Sequence, residues 1–129
     1  MRIMIDSNVI VSAIYNQKSK PAAVVNHVLE NHTLVLCDRV INECCDVVGR
    51  KFPQHLSILD KFFKSVGYEL QNAPSDGPQY INPKDSPILN AAIHANVDMT
   101  ISGDGHFLAL YIEQLEVISP SVYFEKFFT

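Results

Sequence analysis

Apolar positions along this chain fall into two kinds of run. Short, nearly unbroken stretches at residues 2–5, 33–37, 98–102 and 115–118 have the length and continuity of buried strands, and residues 68–70 suggest a further short one. Between them apolar residues recur at helical spacing: Val9, Ile10, Ala13 and Ile14 over residues 7–15, and Val24, Val25, Val28 and Leu29 up to about Asn31. Val40, Cys44, Val47 and Val48 mark a third helix, and Leu56, Leu59, Phe62, Phe63 and Val66 a fourth. Ile88, Leu89, Ala92, Ile93 and Ala95 mark a fifth. Residues 104–110 read as a short helix and 120–127 as a terminal one.

Local signals place the breaks. Residues 16–20 are polar, and Pro21 suits the first turn of the second helix. Asp38 reads as the N-cap of the third helix, which Gly49 or Pro53 ends; Ser86 reads as the N-cap of the fifth, with Pro87 following. Residues 71–84 hold Pro74, Pro78, Pro83 and the pair Asp76-Gly77, and are expected to form a loop. Strands alternating with helices predict an α/β fold of three layers, α/β/α, around a central parallel sheet. A chain of 129 residues suits a single domain spanning 1–129.

Composition narrows the function. No apolar run approaches the ~20 residues of a membrane span, and the apolar start is cut short by Asp6, so a cytoplasmic protein with no membrane partner is expected. Three cysteines, Cys37, Cys44 and Cys45, lack CxxC spacing, and the five histidines lack HxxxH or HExxH spacing, so a zinc site is not indicated. The net charge of −4 argues against a protein that simply coats nucleic acid, but not against an enzyme acting on it, because clustered metal-binding carboxylates add to the negative count.

The acids have suggestive positions. Asp6 directly follows the first strand and Asp104 lies two residues past the strand at 98–102. Ligand sites of open parallel sheets lie beyond the carboxyl ends of strands, so these two carboxylates meet if their strands are neighbours. Either alone also suits a helix N-cap. Glu43 sits on the apolar stripe of its helix, where an ionised carboxylate is costly unless something pairs with it; Arg39, one turn earlier, is the ordinary candidate. Asp85 precedes Ser86-Pro87, where it could simply favour the helix dipole. Four carboxylates brought together repel one another, and a hard cation such as Mg²⁺ or Mn²⁺ resolves the repulsion. Asn8 and Ser102, beside Asp6 and Asp104, are placed to orient ligands or water.

These segments resemble the PIN-domain family, in particular the bacterial and archaeal members regarded as toxins of toxin–antitoxin pairs. Ile5-Asp6-Ser7-Asn8-Val9-Ile10-Val11-Ser12-Ala13 resembles the family's opening, Val40-Ile41-Asn42-Glu43 its helical glutamate, Asp85-Ser86-Pro87-Ile88-Leu89-Asn90-Ala91-Ala92 its third acidic segment, and Thr100-Ile101-Ser102-Gly103-Asp104 its closing motif. The resemblance covers residues 3–108 and implies a PIN-like fold and a metal-dependent endoribonuclease. Asp6, Glu43, Asp85 and Asp104 would then be catalytic residues and ligands of Mg²⁺ or Mn²⁺, with RNA as substrate and an antitoxin protein as possible partner. Two departures stand out: Asn82 and His106 occupy positions where relatives often carry acids.

Rival readings have specific tests. Haloacid-dehalogenase-like phosphatases need Asp-x-Asp after the first strand, whereas here Asn8 takes the second position; receiver domains need a lysine after the last strand, whereas here Ile118-Ser119-Pro120 follows. A non-catalytic PIN-like module binding RNA or protein is the alternative that the missing outer acids keep open. Finally, Tyr123, Phe124, Phe127 and Phe128 form an aromatic stripe that either closes the core or serves a homodimer or antitoxin contact.

Overall fold

The computed structural model describes residues 1–74, 86–113 and 115–128. Among these, five strands form one sheet in the order β3-β2-β1-β4-β5, with every neighbouring pair parallel. The strands are β1 (Arg2–Ile5), β2 (Thr33–Cys37), β3 (Glu69–Gln71), β4 (Met99–Ile101) and β5 (Glu116–Ile118). The helices are α1 (Ser7–Tyr15), α2 (Lys20–Asn31), α3 (Asp38–Lys51), α4 (Leu56–Ser65), α5 (Ser86–His94), α6 (Gly105–Leu108) and α7 (Pro120–Phe127), with a 3₁₀ turn at Pro53–His55.

The chain steps outward from β1 through β2 to β3, then returns to place β4 on the free side of β1. Right-handed crossovers running in opposite directions along a sheet put their helices on opposite faces. The α1–α4 group therefore covers one face and α5 the other. Double coverage explains the unalternating strands: Ile3, Met4 and Ile5 are all fully buried, as are Val35, Leu36 and Cys37.

Several boundaries follow the sequence signals. Ser19 caps α2 through the Ala22 N–H, with Pro21 in the first turn, and Ser119 caps α7 through the Val122 N–H. The α5–β4 turn closes with Val97 N–H donating to Ala92 C=O, five residues back, while Asn96 takes φ 55°, a left-handed conformation asparagine tolerates.

Others differ. Asp38 does not cap α3 but is its first residue; Cys37 holds the cap position without a side-chain capping bond, and the Asp38 carboxylate accepts the Ala73 N–H at 2.8 Å. The partner lies far away in sequence, so local capping rules do not see it. Of the two stops expected for α3, the helix runs through Gly49 and ends at Lys51, with Phe52 as its C-cap just before Pro53. α5 is described from Ser86, with Pro87 in its first turn, and the residues that precede it lie outside the described ones. The strand expected at 68–70 lies at Glu69–Gln71, because its register is set by pairing Leu70 with Leu36. Most of the loop read at 71–84 lies outside the described residues.

The amino ends of the strands are tied together structurally. Arg2 donates to the Ala95 carbonyl at 2.9 Å and pairs with Glu69, while its backbone exchanges bonds with Asp98. The carboxyl ends carry different chemistry.

Candidate active site

The strand order reverses at β1, and its carboxyl end beside that of β4 is a topological switch point. Ile5 pairs with Ile101 in register, so the residues that follow, Asp6 and Ser102, leave the sheet side by side. The Asp6 N–H continues the ladder onto Ile101 C=O at 2.9 Å.

Asp6 is 4% exposed. Its carboxylate caps α1 by accepting the Ser7 N–H at 2.8 Å. It also accepts the Ser102 hydroxyl at 2.9 Å and the Asn8 amide at 3.3 Å, both on Oδ2. The N-cap and site readings thus coincide: one carboxylate starts a helix and sits at the switch point. These three partners are neutral donors that orient the carboxylate.

Ser102 links the first acid to the second. Its hydroxyl donates to Asp6 and accepts the Asp104 N–H at 3.0 Å. Asp104 in turn caps α6 through the His106 N–H at 2.8 Å, with the His106 ring 3.3 Å from the same oxygen. Asn8 spans the gap from the other side, donating to Asp6 while its oxygen accepts the Gly103 N–H at 2.9 Å. A closed ring of bonds therefore joins the first turn of α1 to the turn after β4.

Glu43 reaches the same region from α3. It is half-buried and accepts the Ser7 hydroxyl. Among the described residues the alternative Arg39 pair is not formed. The next residue, Cys44, places its thiol 3.8 Å from the Ser7 carbonyl. Burial raises its pKa, and the charges of Cys45, Asp6 and Glu43 raise it further, so it stays a thiol in a negative field.

Ser7 is the functional contact that sequence reasoning missed. A serine in a helix's first turn looks like ordinary N-terminal chemistry, and only its partner on α3, 36 residues away, shows otherwise. The sequence signal for such a partner is Glu43 on the apolar stripe of its helix, where a carboxylate needs a donor. Asp85 and Asn82 lie outside the described residues.

Among the described residues no three His, Cys, Asp or Glu side chains form a metal-holding group by themselves. The acids brought together, Asp6, Glu43 and Asp104, offer oxygen donors, the chemistry that suits a hard divalent cation.

A parallel sheet with carboxylates gathered at its switch point defines a class of α/β proteins with an acidic site at the strand ends. The sequence pattern that defines the PIN domain matches residues 2–106, and the chain belongs to the PIN-domain family. Solved structures agree on the fold. VapBC2 from Rickettsia felis, bound to a DNA fragment from their promoter, is 20% identical with a TM-score of 0.70, covering 92% of this chain and 98% of its own. DNA-bound VapBC from Salmonella typhimurium is 12% identical with a TM-score of 0.68, covering 93% and 98%. VapC20 from Mycobacterium tuberculosis, a toxin cleaving the sarcin–ricin loop, is 9% identical with a TM-score of 0.63, covering 86% and 97%. No curated protein matches the sequence significantly.

Proposed function

We propose that this chain is a metal-dependent endoribonuclease, the toxin of a toxin–antitoxin pair. The observation that carries the reading is the bonded chain Glu43–Ser7–Asp6–Ser102–Asp104, which fixes three acids from separate elements around one strand edge. Likeness to VapC20, itself a cleaving toxin, supports the same direction. Free cysteines, two buried and one exposed, suit a reducing cytoplasm.

In this reading Asp6, Glu43, Asp85 and Asp104 hold Mg²⁺ or Mn²⁺. When bound, the ion lowers the pKa of water and stabilises charge developing on the phosphodiester. The protein's own contribution is positioning. Ser102 and Asn8 aim the Asp6 carboxylate, Ser7 holds Glu43 against α1, and Ser102 fixes the Asp104 backbone. Water is excluded behind Asp6 by Ile5, Val9 and Ile101, all buried.

Cleavage of a labelled RNA with added Mg²⁺ or Mn²⁺ tests the reading. Asp6→Asn and Asp104→Asn are expected to lose cleavage while melting at or above the wild-type temperature without metal, because one of several like charges is gone. Full cleavage by Asp6→Asn would overturn the assignment.

A further inference from the structure

Away from the carboxylates, the far end of α1 carries an aromatic cluster. Tyr15, the last residue of α1, is 61% exposed, yet its ring is braced on two sides. It meets Phe52 edge-on with centroids 5.0 Å apart and stacks on His55 at 5.7 Å and 28°. Phe52 and His55 also meet edge-on at 5.4 Å. The braces come from the end of α3 and the 3₁₀ turn after it, so the tyrosine ring is contacted from two sides while most of the residue stays exposed. A cleft of about 390 Å³ lies beside it, lined in part by Val11, Ser12 and Ser19.

The cluster is aligned with the acidic site. α1 and α3 both start at the carboxyl edge of the sheet and pack against each other. Tyr15 lies seven residues past Asn8, about 10 Å along the helix axis, and Phe52 nine past Glu43, about 13 Å. Asn8, Ser12 and Tyr15 share one line on α1, all exposed; Glu43, Val47 and Lys51 share one on α3. Lys51 ends its line, and Lys18 lies three residues past Tyr15. Neither lysine makes an ion pair among the described residues, unlike Arg50 with Asp46 or Lys64 with Asp60.

A protein of net charge −4 with acids at its site repels a polyanion unless something independent of charge contributes. Base stacking on an aromatic face does so. We propose that Tyr15, braced by Phe52 and His55, is a stacking platform for an unpaired base of single-stranded RNA, whose phosphates pass Lys51 and Lys18 a few nucleotides from the Asp6 site. The choice of RNA and the direction of the strand rest on the nuclease reading; the bracing of Tyr15 does not.

The chain contains no tryptophan, so Tyr15→Trp introduces a unique indole reporter at an exposed position. Titration with octaadenylate in EDTA, where metal-dependent cleavage is silent, is expected to quench that indole. Tyr15→Phe should bind labelled octaadenylate as wild type does, and Tyr15→Ala about tenfold more weakly. An abasic oligomer of equal length should not distinguish Tyr15→Ala from wild type. An unquenched indole, unchanged affinity in Tyr15→Ala, or no octaadenylate binding by wild type overturns the platform. So does a Tyr15→Ala change in sedimentation with RNA affinity intact, which would make the patch a protein contact. The nuclease reading fails separately, through cleavage retained in Asp6→Asn, and would leave the quench in place.

Discussion

Asp38 and Asp6 are both aspartates at the junction of a strand and a helix, and the fold uses them differently. Asp6 spends its lone pairs on the site, taking bonds from Ser7, Asn8 and Ser102. Asp38 anchors the chain leaving β3 through the Ala73 N–H. Burial alone would raise its pKa, but bonds from Ala73, the Cys37 thiol and the Arg39 N–H, together with the Arg39 charge, hold it below 3.8. The folded value is depressed, so its contribution is fully present above the unfolded value of 3.8 and lost as pH falls through the lower folded one. Asp38→Asn should therefore flatten the stability curve on its acid side below pH 3.8, read by urea unfolding at stepped pH, and cost on the order of 1 kcal/mol at neutral pH. A mutant acid limb as steep as the wild type's would show that the anchor does not form.

Among the elements, α7 settles a choice its sequence left open. Tyr123 is fully buried and its hydroxyl lies 2.7 Å from His27 Nδ1 of α2, while Phe127 packs on it with centroids 4.5 Å apart. This half of the aromatic stripe closes the core. Burial pushes the Tyr123 hydroxyl up to about 12, so it stays protonated at neutral pH. Phe124 and Phe128 stack on each other at 4.2 Å at the rim, with Lys20 over the Phe124 ring and Phe128 38% exposed. Tyr123→Phe should cost about 1 kcal/mol by leaving His27 short of a partner, and Tyr123→Ala about 3–5 kcal/mol by opening a cavity. Phe128→Ala should cost much less and leave the sedimentation coefficient unchanged. A shift in mass for Phe128→Ala would return the rim to the role of an interface.

At the scale of the molecule, the two ends of the sheet divide the labour. The amino end is bound by Arg2 to Glu69, Ala95 and Asp98, groups that serve cohesion. The carboxyl end gathers Asp6, Glu43 and Asp104, and in the proposed reading a divalent cation offsets the repulsion among such like charges. A ligand that binds only the folded state should relieve this and add RT ln(1 + [L]/Kd), about 2.7 kcal/mol at a concentration one hundred times Kd. Mn²⁺ is thus expected to raise the melting temperature of the wild type by several degrees and that of Asp6→Asn far less. Equal shifts in a calorimetric titration of the two proteins would remove Asp6 from the metal site.

Much of this architecture could be read from the chain itself, because its causes are local. Arg2–Ile5, Thr33–Cys37, Ser7–Tyr15 and Pro120–Phe127 lie where apolar period and capping residues put them, since strand continuity and helical spacing are properties of neighbouring residues. The same holds for Asp6 and Asp104, whose positions just past apolar runs place them at strand ends in any parallel sheet. Tertiary structure alone decided what joins them. That β4 returns beside β1, that Ser102 bridges both acids, that Ser7 reaches Glu43, and that Asp38 turns from its own helix to Ala73 all depend on partners 35 or more residues apart, apart from the short step from Ser102 to Asp104. Sequence pattern records which face of an element is buried, but the choice of the residue it is buried against is made by the path of the chain, and the site exists only where that path closes.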